Sequence, residues 1–192
     1  MRVGVLALQG DFREHLIALN AIGVDSLPVK RVSELEQIDG LILPGGESTT
    51  IAKLAKIFGL FDPIRAKIKE GLPTYGSCAG LILLADRILD GAEGQETFGG
   101  LDITARRNAF GRQVDSFESE IEFKNVGTLN AVFIRAPWVE EVGVGVEILA
   151  SAHDHPVAVR HGTILATSFH PELTQDHAVH RYFLEEICHP KQ

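Results

Sequence analysis

Two cysteines and eight histidines give this 192-residue chain most of its scope for nucleophilic chemistry. One cysteine sits where such chemistry is favoured. In the run Leu72-Pro73-Thr74-Tyr75-Gly76-Ser77-Cys78-Ala79-Gly80-Leu81-Ile82-Leu83-Leu84, strand character stops at Gly76 and an apolar helical run begins at about Ala79. Cys78 lies between them in the form Gly-x-Cys-x-Gly, the thiol version of a nucleophile elbow. A sharp strand-to-helix turn strains the nucleophile's backbone, and side chains larger than Gly, Ser or Ala beside it would clash. The turn also sets the sulfur at a helix N-terminus, where the positive dipole end favours thiolate. The free N–H groups there, that of Ala79 in particular, suit an oxyanion. The bland alternative is a buried structural cysteine in a glycine-punctuated turn. Agreement of five positions favours the catalytic reading.

A nucleophilic cysteine needs a base, and the base needs an orienting acceptor. His170 follows the run Leu165-Ala166-Thr167-Ser168-Phe169 and so stands at a strand end. Glu172 is two residues on, across the stiff Pro171, and can accept from one ring nitrogen while the other faces the thiol. Taken alone, a histidine there is more often a loop residue bonded to backbone. His153-Asp154-His155 reads as a solvated hairpin turn. His177 and His180 stand at i, i+3 on the last helix; with no third ligand evident they read as an ordinary exposed face, and no metal is expected. Gly45-Gly46-Glu47-Ser48 joins a strand to a helix. It lacks the lysine of a phosphate loop, and Glu47 repels phosphate. An oxyanion hole fits better, with Gly46 letting a backbone N–H approach beside that of Ala79. A helix cap by Ser48 or Thr49 is compatible with that reading.

Alternating elements must position these groups. Strands are expected at residues 2–8, 26–30, 40–43 and 73–76, with helices at 12–22, about 51–58, 62–70 and 79–88. The second half reads as short strands at about 102–106, 117–123, 131–135, 146–153, 156–161 and 163–168, then a helix at about 175–187. The expected fold is α/β: a three-layer, mostly parallel central sheet with helices on both faces and an antiparallel extension, in one domain spanning 1–192. Ligand sites in such sheets lie at the carboxyl ends of the strands, so Gln9-Gly10, Gly45-Gly46-Glu47 and Cys78 should face one crevice. The net charge of −8 and pI of about 5.4 argue against nucleic acid or an anionic membrane as partner. No apolar run approaches the roughly 18 residues of a membrane span. Met1-Arg2 leads straight into the first strand, so no signal peptide is read and a cytoplasmic location is expected.

Pro44-Gly45-Gly46-Glu47-Ser48, Gly76-Ser77-Cys78-Ala79-Gly80 and Phe169-His170-Pro171-Glu172 together resemble the class I (triad) glutamine amidotransferases, in the order Cys, His, Glu. Leu8-Gln9-Gly10, the segment from Arg107 through Phe110, Gly111, Arg112 and Gln113 to Glu118, and Phe133-Ile134-Arg135-Ala136-Pro137 narrow the resemblance to the glutaminase subunits of pyridoxal 5'-phosphate synthase. The resemblance implies a flavodoxin-like fold and hydrolysis of L-glutamine by Cys78, His170 and Glu172. It places the oxyanion on backbone at Gly46 and Ala79 and the substrate on Gly46, Glu47, Ser48, Arg107, Ile134 and Arg135. It further implies no cofactor, and ammonia passed to a barrel-fold synthase subunit in a hetero-oligomer. Arginine suits the substrate carboxylate because its planar fork pairs bidentately. Alternatives are the glutaminase subunit of another synthase, such as the imidazole glycerol phosphate one, a non-catalytic scaffold, or a cysteine-elbow redox sensor or hydrolase.

Overall fold

The computed structural model describes residues 1–110 and 116–189. The Gly111-Arg112-Gln113 part of the segment that carried the narrower resemblance lies outside the described residues. Seven strands form the main sheet: β1 (Arg2–Leu6), β2 (Asp25–Val29), β3 (Gly40–Leu43), β4 (Thr74–Ser77), β10 (Glu147–Ala152), β11 (His155–His161) and β12 (Ile164–Thr167). Their order is β10-β11-β12-β4-β3-β1-β2. The five strands from β12 to β2 are parallel, and β11 and β10 add an antiparallel edge. The expected fold class is therefore the observed one. β3, β4 and β12 are buried throughout, as parallel strands covered on both faces must be.

The period of two splits the core between the faces. Leu41 and Leu43 point into one cluster with α3 (Ser48–Ile57), α4 (Phe61–Lys69) and α5 (Ala79–Leu84). Ile42, Val3, Val5 and Tyr75 point into the other, with α1 (Phe12–Ala21) and α6 (Ala178–Tyr182). A short helix, α2 (Val32–Leu35), links β2 to β3. Two smaller sheets flank this body: β5 (Ala85–Leu89), β6 (Leu101–Arg106) and β9 (Trp138–Val142), and the hairpin β7 (Ser116–Phe123) with β8 (Gly127–Ile134). No helix among the described residues is long and apolar enough to cross a membrane.

Four local expectations are corrected. The helix after Cys78 ends at Leu84, and the chain continues directly as β5; Ala85 is already extended and pairs with Leu101. β9 lies in a stretch with no strand expected, since Trp138-Val139-Glu140-Glu141-Val142 has one fully buried residue and no clean alternation. The last helix starts at Ala178 and passes into a π-helix, Phe183–Cys188. The cap of α3 is Glu47, whose carboxylate accepts the Thr50 N–H at 3.1 Å; Ser48 is instead buried.

β1 sits between β2, which follows it, and β3, which crosses to its other side. That reversal opens a crevice at the carboxyl ends. The chain beyond β1, β3, β4 and β12 carries Gln9 and Gly10, Gly45 to Glu47, Cys78 and His170, respectively, so four neighbouring strands deliver the residues expected at the crevice.

Candidate active site

Cys78 caps α5 with φ 50° and ψ −102°. Such a backbone costs a side-chain-bearing residue about 1–3 kcal/mol and persists only where its surroundings hold it. Here the Cys78 N–H is bound to the Thr167 carbonyl at 2.8 Å, and the first intrahelical bonds run from Leu81 and Ile82 to the Cys78 carbonyl. The Ala79 N–H precedes them and has no acceptor within the helix. α5 has only six residues, so the field at the sulfur comes from these nearest N–H groups rather than from a long aligned helix. The Cys78 sulfur lies 3.8 Å from the Ile134 carbonyl oxygen.

His170 is held from two sides. Its N–H donates to the Val132 carbonyl at 2.9 Å, fastening the strand end to β8. Its ring Nδ1 lies 2.7 Å from Oε1 of Glu172 and 3.6 Å from Oδ2 of Asp11. Burial pulls the imidazolium down, but hydrogen bonds to Cys78 and Glu172 outweigh it, and the His170 pKa rises from 6.5 to about 11. The ring is therefore cationic at neutral pH, which favours an ion pair with a thiolate. Burial raises the Glu172 carboxyl, and the bond to His170 opposes that rise. Asp11 is raised by burial, against the pull of His170.

A cavity of about 410 Å³ opens here, within the roughly 300–1,000 Å³ of small-molecule sites. Gly46, Glu47, Ser48, Cys78, Ala79, Arg107, Ile134, Arg135 and His170 all line it, and Glu172 stands behind His170. The structure thus brings together every site residue chosen from the sequence. Arg107 bonds Oε1 of Glu47 at 2.8 Å and Oε1 of Gln95 at 2.9 Å. Gln95 in turn donates to Ser48 at 2.8 Å, so the loop before β6 supports the binding wall. Arg135 lines the cavity from a backbone with φ 44°. Two guanidinium groups and the Glu47 carboxylate thus line the cavity, with charges of both signs available to a zwitterionic ligand. Asp11, His170 and Glu172 are also close enough, within 4.8 Å, to surround a cation. Since Nδ1 of His170 and Oε1 of Glu172 already engage each other, acid–base chemistry is the better reading.

Sequence reasoning missed several neighbours. Asp11 lines the cavity. Oε1 of the Gln9 side chain accepts the Glu47 N–H at 2.8 Å, and the Asp11 N–H donates to the Gly45 backbone carbonyl at 2.9 Å. His15 and His180 are both fully buried, with ring nitrogens 2.9 Å apart. The expected exposed face at His177 and His180 is therefore wrong for His180: α6 packs that side onto α1 and Tyr75. His155 stacks flat on Trp138 at 3.6 Å rather than standing free in solvent, while His153 is exposed. The signal for His15 was present, because Phe12, His15, Leu16 and Leu19 share one helical face.

A model of the SNO glutamine amidotransferase family matches residues 5–189. The pyridoxal 5'-phosphate synthase subunit PdxT of Streptomyces coelicolor is 58% identical over 187 residues, covering 96% of this chain and 93% of its own length. The subunit of the same name from Parafrankia sp. is 59% identical over 188 residues, covering 97% and 93%. A crystal structure described as a glutamine amidotransferase superposes with a TM-score of 0.91 at 51% identity, covering 97% of this chain and 98% of that one. Similarity of this depth over nearly the whole length, on a fold and a cavity that agree with it, means that the chain belongs to the SNO glutamine amidotransferase family.

Proposed function

We propose that this chain is a glutaminase: a single domain that hydrolyses L-glutamine to glutamate and ammonia and passes the ammonia to a pyridoxal 5'-phosphate synthase subunit. The observation that carries the reading is the strained Cys78 sharing one cavity with a His170 that Glu172 grips at 2.7 Å. The Cys78 thiolate attacks the side-chain amide carbon of glutamine. The negative charge that develops on the amide oxygen is met by backbone N–H at Ala79 and Gly46. As the carbon–nitrogen bond breaks, His170 gives its proton to the departing ammonia, leaving a glutamyl thioester. Neutral His170 then takes a proton from water as that water attacks the thioester. Collapse releases glutamate and restores the thiolate–imidazolium pair. Glu172 orients the ring throughout and stabilises its cationic form. Arg107 and Arg135 pair with the substrate α-carboxylate, and Glu47 accepts its α-ammonium; Ser48 and Ile134 complete the wall.

The partner is expected to be a barrel-fold subunit, and the chain to work in the cytoplasm without a cofactor. Ammonia released to bulk water at neutral pH is mostly ammonium and not nucleophilic, so direct transfer preserves its reactivity. The free chain should be a poor glutaminase. The peptide that carries the Gly46 N–H is anchored through the Gly45 carbonyl, which accepts the Asp11 N–H at 2.9 Å. Glycine tolerates both signs of φ, so the peptide beside Gly46 can rotate at little steric cost. A partner docking at Gln9-Gly10 that binds one orientation more tightly would select it. The test is kcat for glutamate release by the chain alone and with saturating synthase subunit. Losing one oxyanion donor costs roughly a hundred- to a thousandfold, so a gain of that order is expected. Equal rates would remove the gating while leaving the triad in place.

A further inference from the structure

Behind the triad lies a buried polar chain that the mechanism above does not use. Oε2 of Glu172 is buried and has no hydrogen-bond partner. Nε2 of His15 lies 3.5 Å from it. The same Nε2 lies 2.9 Å from the Ser77 hydroxyl, one residue before the nucleophile. The other His15 nitrogen, Nδ1, lies 2.9 Å from Nε2 of His180. Nδ1 of His180 is buried without a partner. The groups facing His15 are thus Glu172 and His170 beyond β12, Ser77 and Tyr75 on β4, and His180 on α6.

Hydrogen-bond arithmetic decides where the protons sit. Both rings are neutral, since burial and then the neighbouring histidine push His15 well down, and burial with His177 beside it takes His180 to about 4. Each ring then has one N–H. Suppose His15 donated through Nδ1. Its bare Nε2 would face the Glu172 carboxylate, lone pair against negative charge, and His180 would bury an N–H with no acceptor. In the opposite arrangement His180 donates through Nε2 to Nδ1 of His15. His15 then presents an N–H at Nε2, shared between the Ser77 hydroxyl and Oε2 of Glu172. Only an acceptor nitrogen on His180 is left unpaired, and an unpaired acceptor is tolerated better than an unpaired donor.

We infer that His15, set in its Nε2–H form by His180, is a positioning residue that holds Glu172 ionised and aimed at His170 while tying the elbow at Ser77 to the same ring. The inference rests on the proposed role of Glu172. It goes beyond the triad because α1, which carries His15, begins directly after the Gln9 to Asp11 turn. Oε1 of Glu172 serves His170; Oε2 would otherwise be a bare buried carboxylate oxygen. Removing the donor favours protonation of Glu172, and a protonated Glu172 no longer stabilises imidazolium.

The experiment compares His15→Leu with His15→Gln, whose amide nitrogen reaches the place of Nε2 and keeps a donor there. Glutamate release is measured with saturating synthase subunit across the neutral pH range. His15→Leu is expected to lower kcat roughly ten- to hundredfold, the range for a buried charge that loses one donor. Its KM for glutamine should stay near wild type, and the acid limb of the rate profile should move to higher pH. His15→Gln should restore both the rate and the acid limb. Equal loss in the two variants with an unmoved profile would mean that His15 only fills space, and a loss confined to KM would also overturn the proposal. NMR of the wild-type chain with nitrogen-labelled histidines needs no variant to fold. His15 must appear as the neutral Nε2–H tautomer, and the Nδ1–H tautomer would overturn the inference. Because the tautomer is read without turnover, it separates failure here from failure of the glutaminase reading, which Cys78→Ala tests.

Discussion

Gly80 offers a direct test of how packing places the elbow. It lies in the first turn of α5, against the end of β3. An added Cβ would stand 2.2 Å from the Leu43 carbonyl oxygen and 3.1 Å from its carbon, where ordinary contact begins at 3.4 Å. The obstacle is backbone in a fully buried strand, so relief requires α5 to move away from β3 by about 1.2 Å, the difference between 2.2 and 3.4 Å. Overpacking of this kind costs about 1–3 kcal/mol, and the upper end applies where backbone must shift. At roughly 2–4 °C per kcal/mol for a chain of this size, Gly80→Ala should lower Tm by about 6–12 °C. The same shift carries Cys78 and the Ala79 N–H away from Gly46 and His170. Misplacement by about 1 Å can cost a hundredfold in rate, so kcat with saturating synthase subunit should fall by about that factor. Gly59→Ala is the control: φ there is 69° and nothing lies within 4 Å of the added carbon. It should cost only the local strain, about 1–2 kcal/mol, with kcat intact. Wild-type Tm and kcat in Gly80→Ala would refute the argument that this close approach positions the nucleophile. A lower Tm with unchanged kcat would refute its catalytic half.

Cys78→Ala should abolish glutamate release while leaving the fold intact, and Cys188→Ala, at a half-buried free thiol remote from the cavity, should be near neutral; a few per cent of residual wild-type activity in Cys78→Ala would already exclude Cys78 as nucleophile. His170→Asn should lose most of the rate and Glu172→Gln less, since orientation rather than proton transfer is removed; two variants turning over at wild-type rate would dismiss the triad. Arg135→Ala should mainly raise KM for glutamine, as expected of a group that binds substrate and transition state alike, and an unchanged KM removes that role. Stability should decline on both sides of neutrality. His170, raised from 6.5 to about 11, contributes stability that is complete below 6.5 and lost as pH rises through 11. His180, lowered from 6.5 to about 4, contributes stability that is complete above 6.5 and lost as pH falls through 4. Thermal unfolding scans across pH should show His170→Asn flattening the alkaline limb and His180→Gln the acid one; limbs unchanged in both variants would contradict these assignments.

The parallel half of the fold was legible because its strands are short apolar runs cut off by glycine or proline, and its helices repeat with period 3.6. The elbow was legible for a stricter reason. Gly76 and Gly80 meet backbone where any side chain would stand, so their spacing around Cys78 records a contact. His170 and Glu172 were legible as a pair only because they stand two residues apart in sequence. What escaped was long-range. Nothing near Trp138 announces that it will pair with Arg106, or that β5 will follow α5 without a break. His180 was misread because its partner is His15, 165 residues away. A polar residue on a helix looks solvent-facing until the helix that covers it is known.

One segment touches the oxyanion loop and both partners of the nucleophile. Gln9 holds the Glu47 N–H, the Asp11 N–H holds the Gly45 carbonyl, the Asp11 carboxylate stands 3.6 Å from His170, and His15 meets Ser77 and approaches Glu172. Residues 9–15 are thus joined to the oxyanion loop, the base, its orienting acid and the strand that ends in the nucleophile. Each link is a single hydrogen bond or short contact, individually weak, yet they share one stretch of chain and cannot all adjust separately. A partner that draws on Gln9 therefore acts on the loop first and, through the start of α1, on Glu172 and Ser77. Gating of the oxyanion hole and tuning of the imidazolium would then be two readings of one displacement. Under the gating proposed above, such coupling would serve better than two independent switches, since neither half of the site could become competent alone.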